Sequence, residues 1–109
     1  MDLGDIQTIE ITAYPFFASV ERAATIRSNF RRIGIGMSAA EVSAILGTPD
    51  EVRPLHEPRI RRPKTIGYSH WYVIRRMVGK GSANDKQESL VRIIYGLHDR
   101  VTAVDAWGL

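Results

Sequence analysis

The stretch Gly36-Met37-Ser38-Ala39-Ala40-Glu41-Val42-Ser43-Ala44-Ile45-Leu46-Gly47-Thr48-Pro49 spells a short helix with both ends specified. Ser38 and Glu41 stand at the spacing of a capping box, in which each side chain satisfies a backbone N–H at the helix start. Met37 and Val42 are placed to clamp the entry as a hydrophobic staple. Val42, Ile45 and Leu46 form one apolar stripe. Gly47 suits a left-handed C-terminal residue, and Pro49 blocks continuation. A helix of about eight residues is marginal alone, so it must dock on a larger body.

Upstream, the residues from about Ala18 to Arg31 favour a first helix. Ser19 is its candidate cap, and Val20, Ala23, Ala24, Arg27 and Phe30 fall near one face. Ile33-Gly34-Ile35-Gly36 separates the two helices. Further upstream, Ile9 and Ile11 alternate with polar neighbours, which predicts a short strand or ordered arm closed by Pro15. After Pro49 the pattern changes to period two. Glu51 to Leu55 predicts a short edge strand limited by Pro54. Residues 56–64 hold two prolines and predict a loop. Thr65 to Val78 is the strongest strand signal. Ile66, Tyr68, His70, Tyr72 and Ile74 fall on one face of it; Gly67, Ser69, Trp71, Val73 and Arg75 fall on the other. Gly79 to Glu88 is a polar connection. Ser89 to Tyr95 and Val101 to Trp107 are strands, joined by a turn over Gly96 to Arg100. Helices followed by consecutive strands predict an α+β domain: two N-terminal helices packed on a three- to four-stranded antiparallel sheet. The whole chain, 1–109, is expected to be one domain, with 1–15 as an arm or short strand and 16–109 as its core. The last strand leaves an edge that is a template for pairing.

Bulk properties agree with one globular unit. The chain has 109 residues, 44% hydrophobic and 25% charged, ordinary for a soluble domain. It has no cysteine, which excludes disulfides, thiolate chemistry and cysteine-ligated zinc. No window approaches the roughly 20 apolar residues of a membrane span. The opening Met1-Asp2-Leu3-Gly4-Asp5 lacks the basic start and apolar run of a signal peptide. A cytoplasmic location is expected, or a periplasmic one for a chain trimmed of an export signal. The net charge of +3 is unevenly spread. Arg53, Arg59, Arg61, Arg62 and Lys64 face Glu57 alone in one segment, while the rest of the chain carries ten basic and eleven acidic residues.

Few residues point to bond-breaking chemistry. His56, His70 and His98 have no partner histidine or acidic cluster at a metal-ligand spacing. His70 reads as a partly buried sheet residue, and His98-Asp99 as a turn. No Gly-x-Ser-x-Gly elbow is present. Gly34-Ile35-Gly36 precedes no Gly-Lys-Ser/Thr and follows a helix, so a phosphate loop is not indicated. No catalytic residue, metal or cofactor is expected. The basic segment reads first as a solvated loop beside core aromatics, next as a contact for acidic protein surface, and last as a nucleic-acid contact, since five cations on a slightly acidic body make no broad electropositive face.

The order of these segments, with Ile33, Gly36-Met37-Ser38, Glu41-Val42, Leu46-Gly47, Pro49, Trp71-Tyr72, Leu90-Val91-Arg92-Ile93-Ile94-Tyr95 and Asp99-Arg100-Val101, resembles the SmpA/OmlA domain of BamE-like proteins. Those proteins share a β-lactamase-inhibitor-protein-like fold. The resemblance covers about Phe30 to Val104. It implies a non-catalytic module that binds another protein through the sheet and its loops. The lipidated cysteine of that family is absent here, and the Arg53–Lys64 segment lies outside its pattern. The expectation is therefore a soluble, non-enzymatic inhibitor or immunity-type protein that binds a partner such as a toxin. Alternatives are an exported component of outer-membrane protein assembly and a nucleic-acid binder using residues 53–64. Arg59, Arg61, Arg62, Lys64, Tyr68, His70 and Tyr72 are the expected partner-binding residues.

Overall fold

Ser38 closes the start of its helix as the spacing requires: its Oγ accepts the Glu41 N–H at 3.2 Å, and Glu41 Oε1 accepts the Ser38 N–H at 3.1 Å. Gly47 ends the same helix at φ 83°, a backbone region that costs glycine little. A computed structural model of the chain describes residues 7–57, 64–77 and 88–109. Its elements are β1 (Phe16–Phe17), α1 (Val20–Asn29), a 3-10 turn (Phe30–Arg32), α2 (Ala39–Leu46), β2 (Glu51–His56), β3 (Thr65–Arg76), β4 (Glu88–Tyr95) and β5 (Val101–Trp107). The chain is α+β, and its described residues form two α-helices and a five-stranded antiparallel sheet. One strand more is present than the upper expectation. The addition is β1, two phenylalanines directly after the cis Tyr14–Pro15 bond, too short for a period to show.

β3 organises the sheet. β4 pairs with it from Tyr68 to Arg76. β2 pairs with its first half and β1 with Arg75 and Arg76, so β1 and β2 share the edge that β4 leaves. β5 follows on the far side of β4. The expected arm is held at Ile9, which exchanges two backbone hydrogen bonds of 3.0 Å with Val52.

Ser19 caps α1 by accepting the Arg22 N–H at 3.1 Å. The buried face of α1 differs from the expected stripe. Ala23 and Ile26 are buried, whereas Val20 is 83% exposed and Ala24 and Arg27 lie in solvent. Burying Ile26, the largest aliphatic of the helix, turns Val20 outward. Phe30 falls in the 3-10 turn and still packs against the core.

Ala23, Ile26, Val42 and Leu46 share one buried cluster with Tyr72, Val91, Ile93, Tyr95 and Val101. The Tyr72 hydroxyl adds a 3.1 Å hydrogen bond to the Gly47 carbonyl. The sheet therefore has a core face, carrying Tyr68, Tyr72, Val91 and Ile93, and an outer face carrying Trp71. The connections at 58–63 and 78–87, expected from composition, lie outside the described residues.

Candidate functional site

Alternation along β3 sends Trp71 to the face opposite Tyr72. Register then decides its neighbours. Glu51 on β2 and Arg92 on β4 stand directly opposite Trp71, and Asp105 on β5 stands opposite Arg92. A β-bulge adds one more. Val73 pairs with Leu90 and Arg75 with Ser89, leaving Ile74 as the extra residue. An inserted residue changes the parity of all that follows, so Arg76 arrives on the outer face and Arg75 does not. The expected order on this face, with Arg75 beside Trp71, is corrected accordingly. Arg75 instead lines a groove beside α1.

The result is an indole set among cations. The guanidinium carbons of Arg53, Arg92 and Arg76 lie 4.5, 5.3 and 5.8 Å from the Trp71 ring centre, within the range of cation–π attraction. Trp107 meets Trp71 edge-on, with centres 6.1 Å apart and planes at 90°. The Trp71 N–H donates to Ser69 Oγ at 2.8 Å, which fixes the ring plane.

Carboxylates balance the cations. Arg76 donates to Glu51 at 2.8 Å and to Glu88 at 3.3 Å, and all three side chains are at most 2% exposed. Glu51 also accepts from Arg53 at 2.8 Å and from the Ile11 N–H at 2.9 Å. Burial opposes the Arg76 charge, but the hydrogen bond and attraction to Glu51, with help from Tyr14 and Glu88, hold its pKa above the ordinary value. Arg92 pairs with Asp105. The inner part is thus a locked ion-pair network. Its rim is open: the side chains of Arg53, Arg92 and Asp105 are 37%, 33% and 40% exposed.

The residues expected to bind a partner are placed differently. Tyr72 is fully buried and Tyr68 is 8% exposed. Both rings belong to the core cluster, so Tyr72 offers no surface to a partner. His70 is half-buried between Tyr68 and Tyr95, with ring centres 5.2 and 4.8 Å away. Burial lowers its pKa. Burial also raises the Tyr72 hydroxyl to about 12; the same effect, with Asp99 beside it, raises Tyr68 to about 12. Lys64 is exposed next to β3. Arg59, Arg61 and Arg62 lie outside the described residues. Trp71 and Arg53 were visible as residue types, but Glu51, Arg76, Arg92, Asp105 and Trp107 join them only through strand register.

A groove of about 680 Å³ opens elsewhere, between β1, α1 and the end of β3, lined by Phe17, Val20, Arg27, Ile74 and Arg75 among others. Among the described residues its lining includes no carboxylate and no histidine. Among the described residues, no group of three His, Asp or Glu side chains is gathered to hold a metal, and no helix is long and apolar enough to cross a membrane. No family model, curated protein or solved structure matches the chain.

Proposed function

We propose that this chain is a non-enzymatic protein-binding module of the inhibitor or immunity type, and that its contact surface is the outer face around Trp71. The observation that supports this reading is the half-exposed rim of Arg53, Arg92 and Asp105 around two tryptophans. Tryptophan and arginine are the side chains most enriched where binding energy concentrates at protein interfaces. The buried Glu51–Arg76–Glu88 network beneath holds the rim in place before a partner arrives, which lowers the ordering cost of binding. A BamE-like fold, with the two helices preceding β2 to β5 and packing on the sheet, is the architecture we assign, on the resemblance carried by Gly36-Met37-Ser38, Glu41-Val42 and Leu46-Gly47. The partner we favour is a toxin-class protein met in the cytoplasm, with carboxylates positioned to meet Arg53 and Arg92.

The test is affinity isolation of the tagged chain from its native host under mild, low-salt conditions, beside an Arg53→Glu/Arg92→Glu variant. A protein retained in stoichiometric amount by the parent and lost by the variant is the expected result. Absence of any retained protein, or retention that the double reversal leaves unchanged, overturns the assignment to this face. Retention of RNA or DNA instead would transfer the function to the basic segment.

A further inference from the structure

β5 pairs with β4 along one side. On its other side, among the described residues, only its first residue is occupied: the Val101 N–H donates to the Met37 carbonyl at 2.9 Å, and its carbonyl accepts the Gly36 N–H at 2.8 Å. Among the described residues, β5 has no other strand partner. The opposite margin of the sheet is likewise occupied at one place, where Ile9 bridges β2 at Val52.

An unpaired edge exposes a row of backbone donors and acceptors, and proteins that stay monomeric guard it with lysine, proline or inward charges. The β5 sequence Val-Thr-Ala-Val-Asp-Ala-Trp has neither lysine nor proline. Its single charge, Asp105, is engaged by Arg92. Such guards act above all against copies of the same chain, because those copies are present wherever the chain is made. Their absence here is informative for that reason.

We propose that two copies of this chain pair edge to edge through β5, antiparallel across a twofold axis, independently of the partner proposed above. An axis at Val104 sets Val104 against its own copy, Ala103 against Asp105 of the second copy and Thr102 against Ala106 of the second copy. No like charges then stand opposite one another, so the strand is compatible with itself. Gly36 and Met37 already hold Val101, so the paired rows run from Thr102 to Ala106 and cannot slide toward Val101. The paired segment is short, so the dimer is weak and depends on concentration.

The measurement is sedimentation equilibrium of the parent chain from low to high micromolar, with hydrogen exchange of the 103–107 amides across the same range. A monomer–dimer equilibrium is expected, with those amides slowing as the dimer forms. Ala106→Lys and Thr102→Lys replace residues exposed in the single chain, so they leave the fold intact by circular dichroism. Each is expected to raise the dissociation constant, as a lysine guarding the edge does in natural sheets. Phe17→Lys, on another strand, leaves it unchanged. A parent that stays monomeric throughout overturns the proposal, as does a dimer that neither β5 lysine weakens.

Discussion

His70 shows how one side chain ties stability to acidity. Its ring sits between Tyr68 and Tyr95, and its Nδ1 is buried with no hydrogen-bond partner among the described residues. Charging it there means giving up water without a compensating anion, and burial accordingly lowers its pKa from 6.5. The unfolded chain has no such penalty and takes up the proton near the ordinary value. Between the two pKa values the unfolded state binds more protons, so stability is full above the unfolded value and falls as pH drops through it. Urea midpoints measured between about pH 7 and pH 5 should decline for the parent more than for His70→Phe, which keeps an aromatic ring and removes the titration. Equal declines in both would show that the imidazole is not the group responsible.

At the scale of elements, the ends of α2 carry more information than its eight residues. Ser38→Ala removes the oxygen that accepts the Glu41 N–H, and a lost cap of this kind costs about 1 kcal/mol. It also removes the Ser38 hydroxyl, which helps to lower the Glu41 pKa, while the larger cause, the backbone N–H of residue 38 donating to Glu41 Oε1, stays in place. Thermal unfolding should register the first effect, and NMR titration of the Glu41 carboxylate should show its pKa moving back up. An unchanged carboxylate would mean that the Ser38 hydroxyl contributes little to that shift. This helix was legible because caps, stripe and stop all lie within fourteen consecutive residues. β3, β4 and β5 were legible for a related reason: period two survives wherever one face is buried. The bulge at Ile74 was not legible, because it arises from pairing with β4 and leaves no local mark in Val-Ile-Arg-Arg. That one residue decides whether Arg75 or Arg76 joins Trp71. Nor did alternation say which face of β3 is inside, since Tyr68 and Tyr72 on one side compete with Trp71 on the other. Tertiary packing decides it: Tyr72 is in the core and Trp71 is on the outer face.

The whole molecule places its two reporters on opposite sides of one core. Both tryptophans, Trp71 and Trp107, belong to the outer face, while the helices contribute Ala23, Ile26, Val42 and Leu46 to the cluster on the other face. Tyr72 joins these regions, since its ring is fully buried and its hydroxyl bonds to the end of α2. If that cluster makes helices and sheet a single cooperative unit, a defect inside α2 must reach the tryptophans. Leu46 is 2% exposed, and truncating a leucine so buried costs about 3 kcal/mol, from lost transfer energy and the cavity left behind. Leu46→Ala should therefore lower the urea midpoint by the same amount whether unfolding is followed by helical circular dichroism or by tryptophan fluorescence. The alternative has a clear signature: the helical signal would melt early while the fluorescence transition stayed in place. In that case the Trp71 face would be held by its own ion-pair network, Glu51–Arg76–Glu88, and would survive as a binding surface after the helices had loosened.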